Sequence, residues 1–154
     1  MGYQVQNRNQ QSAIEVFEEI ITYYDLSLRE IEQCLTNFAI IQNATDSNLN
    51  TEYSWISVFV SVIKVTKPAI YRKLSKNSIS YEELVAEASL EKLSVGSWGD
   101  MPEGHPLKWY LKYFMSSDEV ASQMASETKM LSGFPGSRDA VQSVCAWLET
   151  FQRD

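Results

Sequence analysis

The run Trp55-Ile-Ser-Val-Phe-Val-Ser-Val-Ile-Lys-Val65 is the most apolar of the chain, and its reading decides the fold. Ile56, Val58, Val60 and Val62 alternate with period two, and β-branched residues suit strands. As a helix the same stretch is apolar nearly all round, which marks a central, buried helix. No other segment offers a strand to pair with, and an isolated hairpin is marginal in water. Helix is therefore the reading. With Ser and Lys inside it, the run is also too short to span a bilayer core of about 30 Å.

Outward from this centre the helical period dominates. Phe17, Ile20, Ile21 and Tyr24 fill the i, i+3, i+4, i+7 template, as do Ile31, Cys34, Leu35 and Phe38. Val141, Val144, Cys145 and Leu148 fill it near the end; Val144, Trp147, Leu148 and Phe151 fill it again, so the last helix has a wide apolar face. Ser12-Ala-Ile-Glu15, Ser27-Leu-Arg-Glu30, Ser80-Tyr-Glu-Glu83 and Ser116-Ser-Asp-Glu119 match the capping box. In that motif the Ser oxygen accepts from the third helical amide, and the Glu reaches back to the cap's own N–H. Pro68 suits a first helical position, where its missing N–H costs nothing. These signals predict helices over 12–24, 27–43, 52–66, 68–76, 80–93, 106–115, 117–131 and 137–152.

Two breaks interrupt them: Gly96-Ser-Trp-Gly-Asp-Met-Pro-Glu-Gly-His-Pro106 and Gly133-Phe-Pro-Gly136. The expected fold is all-α, a single compact orthogonal array of about seven or eight helices with two Gly/Pro-rich elbows. Residues 12–154 form the domain, behind a poorly ordered N-terminus at 1–11. At 154 residues the chain can bury a core large enough to need no disulfide or metal.

Chemistry is sparse in this sequence. There is one His and there are two Cys. Cys34 and Cys145 fall on apolar helix faces and read as buried free thiols, which fits a reducing cytoplasm. The polar first dozen residues lack the apolar run of a signal peptide. No phosphate-binding glycine loop is present, and no ligand spacing suggests a metal. His105, between Gly104 and Pro106, reads as an exposed loop histidine; the pairs Glu18/Glu19 and Glu82/Glu83 read as solvated faces and cap partners. No catalysis, metal or cofactor is expected.

Charge is uneven along the chain. The net charge is −7, yet no acid occurs between Glu52 and Glu82, where Lys64, Lys67, Arg72, Lys73 and Lys76 form a basic strip. The overall charge opposes binding to nucleic acid or an anionic membrane, so the strip reads as a solvated face or a contact for an acidic protein surface. Trp98 and Trp109, in and beside the long elbow, are core plugs or interface anchors.

The run Tyr24-Asp-Leu-Ser-Leu-Arg-Glu-Ile-Glu-Gln33 with Leu35-Thr-Asn-Phe38 is followed by Val62-Ile-Lys-Val-Thr-Lys-Pro-Ala-Ile-Tyr-Arg-Lys-Leu74 and Ile79-Ser-Tyr-Glu-Glu-Leu84. In this order, over roughly residues 14–90, they resemble the helical C-terminal region of KAP family P-loop NTPases, found in bacteria and on mobile elements. The family's phosphate loop and Mg²⁺-binding acidic strand have no counterpart here, and Gln33 replaces a basic residue. The resemblance implies a non-enzymatic helical protein-interaction module. It draws attention to Arg29, which on a lid helix would approach phosphates held by another chain. The alternatives are a trans-acting part of a split NTPase, with Arg29 and the basic strip serving a separate core, or an acidic immunity- or antitoxin-like binder. Homodimerisation through the last helix is compatible with all three.

Overall fold

The computed structural model describes residues 14–45, 51–93, 102–127 and 139–151. Eight α-helices occur among them: α1 (14–24), α2 (Leu28–Thr45), α3 (Thr51–Thr66), α4 (Pro68–Ser75), α5 (Tyr81–Glu87), α6 (Pro106–Met115), α7 (Asp118–Glu127) and α8 (Ala140–Phe151). The described residues contain no strand. The expected domain start at 12 and the tail at 1–11 lie outside the described residues.

The apolar run is a helix, and it is the centre of the fold. α3 packs against α2, α4, α6 and α8, and every residue from Ser54 to Ile63 is buried. Period two misleads here because a helix covered on all sides has no polar face to impose 3.6. Its serines are buried as well. Ser61 Oγ donates to the Ser57 carbonyl at 2.7 Å, and the Ser61 carbonyl accepts from Asn37 Nδ2 of α2 at 3.3 Å. Ser57 Oγ, by contrast, has no hydrogen-bond partner among the described residues. A buried hydroxyl without a hydrogen bond carries its desolvation cost uncompensated. Ser57→Ala is therefore expected to raise stability by about 1 kcal/mol, read as a higher urea midpoint.

Helix boundaries follow identifiable chemistry. Two of the three boxes within the described residues form: Ser27 Oγ accepts from the Glu30 amide at 3.2 Å while Glu30 accepts from Ser27 N–H at 2.9 Å. Ser80 and Glu83 do the same, at 3.1 Å each way, and those bonds hold the Glu83 carboxyl below its usual range. The box expected at Ser116 is displaced. Ser116 closes α6, its N–H bonded to the Lys112 carbonyl, and Ser117 Oγ instead caps the Val120 amide of α7. The box at Ser12 lies outside the described residues.

The helix expected over 80–93 stops at Glu87. Ser89 takes the left-handed conformation (φ 58°), and a short 3₁₀ turn, Leu90–Lys92, follows. The freed carbonyls have partners: Tyr24 Oη donates to Ala88 and Tyr23 Oη to Ser89. Two phenols from the end of α1 thus hold the turn open. Asp25 and Asn77, also left-handed, close α1 and α4 with paired bonds of the Schellman type.

The template on α2 is only partly matched by burial. Cys34, Asn37 and Ile41 form its buried face, Ile31 and Phe38 are half-buried, and Leu35 is exposed. α3 and α8 cover one side of α2, and α1 meets it through an edge-to-face contact of Phe17 with Phe38. Leu35 lies past both. The first apolar face read on α8 is buried throughout, against α2, α3 and α4.

Candidate functional site

His105 is not an exposed loop residue. It is fully buried as the N-cap of α6, with Pro106 at the first helical position. Its Nδ1 accepts from the Leu107 amide at 3.1 Å, so that nitrogen is unprotonated and Nε2 carries the hydrogen donated to Glu19 Oε2 of α1. The Trp55 indole of α3 meets the ring edge-on, with centroids 5.6 Å apart. Burial pushes the imidazole below its usual pKa, against the smaller upward pull of Glu19 and with the help of nearby Lys108. Glu19 is thus a structural partner and not a merely solvated acid. The elbow's last residues are tied as well: Glu103 (φ 68°) bonds Lys112 Nζ at 2.7 Å and meets Tyr81 Oη at 3.5 Å.

The thiols are buried and free. Burial is the main cause that lifts Cys34 to about 11 and Cys145 to about 12, so neither is a thiolate at neutral pH. Among the described residues, no cluster of three His, Cys, Asp or Glu could hold a metal ion, and no helix is long and apolar enough to cross a membrane.

The basic strip is divided by the fold. Lys64 Nζ stands 5.0 Å from the Tyr71 ring centroid and 3.8 Å from Glu149 of α8. Lys67, the residue before α4, sits 5.8 Å from the Tyr24 ring. Lys73 pairs with Glu87 of α5 at 3.0 Å. Arg72 and Lys76 are exposed on α4 and its cap. These cations therefore face several different elements. Tyr71 anchors the Lys64 end: its hydroxyl donates to Glu149 Oε1 at 2.8 Å, with the Cys145 carbonyl 3.4 Å away. Burial, reinforced by Glu149, raises the phenol's pKa. Glu149 is half exposed, so the bond is worth less than a fully buried charged one. Tyr71→Phe should lower stability by about 1 kcal/mol in urea unfolding.

The sequence reading grouped Arg29 with the basic strip only as groups serving a separate core; the fold sets Arg29 and Lys64 on one concavity. A trough of about 610 Å³ lies between α2 and α3, lined by Arg29, Glu32, Gln33, Thr36, Asn37, Lys64 and Val65. Elsewhere on its surface α2 exposes Leu28 (72%) and Leu35 (48%), one heptad apart on a single helix face and not among the residues that line the trough. Trp109 is a core plug, 1% exposed, stacked on Tyr113 at 5.5 Å and edge-on to Tyr110 at 5.4 Å. Trp98 lies outside the described residues. The signal for the trough was available as Arg29 and Lys64 on adjacent helices; the signal for His105 was the Pro that follows it, since the residue before a Pro at the first helical position is the cap.

Fold and site together define an all-helical protein with a two-cation trough and, elsewhere on α2, an aliphatic ridge. No protein-family model, no curated protein and no solved structure matches the chain. The likeness to KAP family NTPases accordingly rests on the residues quoted for it.

Proposed function

We propose that this chain is a non-enzymatic helical module that works by binding another protein, in the manner its likeness to the helical part of KAP family NTPases implies. The observation that carries the reading is the exposed pair Leu28 and Leu35. Large aliphatic side chains left in water on one helix face mark a recognition surface more readily than a solvated one. Two further observations support it. The one imidazole has both nitrogens occupied, Nδ1 by the Leu107 amide it caps and Nε2 by Glu19 of α1, and both thiols are held protonated. The groups most apt for acid–base or nucleophilic work are thus engaged as structure. The reading extends to a cytoplasmic setting and to bacterial or mobile-element origin.

The test pairs affinity capture from the native host with calorimetry. The expected result is a partner retained by the wild-type chain, released by Leu35→Asp, and no heat on titration with Mg·ATP. ATP hydrolysis by the purified chain, or ATP binding at micromolar affinity, would overturn the reading.

A further inference from the structure

We infer that the trough between α2 and α3 takes a free dipeptide, its carboxylate on Arg29, its ammonium on Glu32 and its peptide group against Gln33. This goes beyond the binding-module reading and does not depend on it.

The polar groups of the trough fall into two sets. One is already engaged. Lys64 stands 3.8 Å from Glu149 and over the Tyr71 ring. Asn37 is buried and donates to the Ser61 carbonyl at 3.3 Å, and Thr36 Oγ1 donates to the Glu32 carbonyl at 3.0 Å. The other set is Arg29, Glu32 and Gln33. All three are exposed, and among the described residues their side chains have no hydrogen bond or ion pair. With Lys64 and Glu149 balancing each other, the trough offers a ligand one cation and one carboxylate. A ligand with one charge of each sign answers both. Inorganic phosphate would suit Arg29 but would meet Glu32 with like charge.

Spacing selects the length of the ligand. Residues three apart on a helix have Cβ atoms about 5–6 Å from each other, close enough for Arg29 and Glu32 to pair directly. They do not pair, so the guanidinium and the carboxylate stand apart. A single amino acid carries both charges at one carbon and would draw the two side chains to one point, where they neutralise each other. A dipeptide separates its termini by one further residue, about 3.8 Å of chain, with a peptide donor and acceptor between them. The Gln33 amide offers one acceptor and two donors to that group, one turn of α2 from Arg29. Val65 adds an aliphatic wall, and about 610 Å³ is ample for a molecule of this size.

The probe is alanyl-valine, titrated into the full chain while backbone amide chemical shifts are followed by NMR. Its N-acetyl and C-amide twins, free alanine and inorganic phosphate are the controls. The expected result is a saturable shift confined to the amides of 29–37 and 64–65. The Kd should be on the order of 1 mM, since two exposed ion pairs supply little more. Acetylating the amine or amidating the carboxylate should each weaken binding about threefold. Glu32→Gln should weaken alanyl-valine by the same factor and leave the N-acetyl twin unchanged. Arg29→Gln should do the same with respect to the C-amide twin. Both side chains are exposed, so the variants keep the fold, as an unchanged helical circular dichroism spectrum would show.

An N-acetyl twin that binds as tightly as the free dipeptide overturns the proposal, because Glu32 then holds nothing. Phosphate that moves the same amides with equal affinity overturns it in favour of an anion site at Arg29. Free alanine that binds as tightly as alanyl-valine overturns the dipeptide as ligand, and the absence of any saturable shift overturns the site itself. Capture of a protein partner through Leu35 is decided separately by the experiment above.

Discussion

Replacing His105 by Ala is expected to lower stability by about 3 kcal/mol and the melting temperature by about 10 °C. Three losses add. The Leu107 amide loses its cap, worth about 1 kcal/mol on its own. The Glu19 carboxylate, only 29% exposed, loses the donor that ties α1 to α6. A cavity opens against Trp55 in a fully buried position. His105→Asn restores an acceptor at the cap position and should recover about 1 kcal/mol, leaving the other two losses in place.

The same residue predicts a pH dependence. Burial and the Leu107 N–H bond both favour the neutral ring, so the folded pKa lies below the unfolded value of about 6.5. Between those two values the unfolded chain binds more protons, and stability rises with pH there. The contribution is complete above the unfolded pKa and is lost progressively as pH falls from it towards the folded one. Urea midpoints measured from pH 7.5 down to pH 5 should therefore decline in the wild type and decline less in His105→Ala. A wild-type midpoint that rises on acidification would show that the Glu19 ion pair dominates instead.

His105 also shows how far the sequence carries. Periodicity and capping place most helix starts within a residue or two, because a helix start is a local matter of side-chain oxygens and orphan amides. The end of α5 was hidden for the opposite reason. Tyr23 and Tyr24 hold the Ala88 and Ser89 carbonyls from more than sixty positions away, and no local rule contains that. Leu35 illustrates the same limit on the site. It satisfies the apolar template as well as Cys34 does, but which of them is covered depends on where α1, α3 and α8 lie around α2. Arg29 and Lys64 were legible as charges; their meeting across one trough required the pairing of α2 with α3.

The sharpest case is Trp109, for which the sequence favoured a core plug and left an interface anchor as the alternative. With its ring 1% exposed and packed against Tyr113 and Tyr110, Trp109→Ala is expected to cost about 3–5 kcal/mol. That is a large share of the roughly 5–15 kcal/mol that holds a domain together, so the variant should melt more than 10 °C lower, or fail to fold at 37 °C. Trp109→Phe keeps an aromatic ring against Tyr113 and should lose distinctly less. Leu35→Asp reverses the pattern. An exposed substitution shifts stability by about 0.5 kcal/mol or less, while it removes half of the aliphatic ridge. Thermal unfolding and partner binding measured on the same two variants then separate the roles: Trp109→Ala should move the first, Leu35→Asp the second. A Trp109→Ala protein that melts like wild type but releases its partner would place the interface on α6 rather than α2. Both residues are large, apolar and helical, and what divides them is only which side of their helix the other helices have already taken.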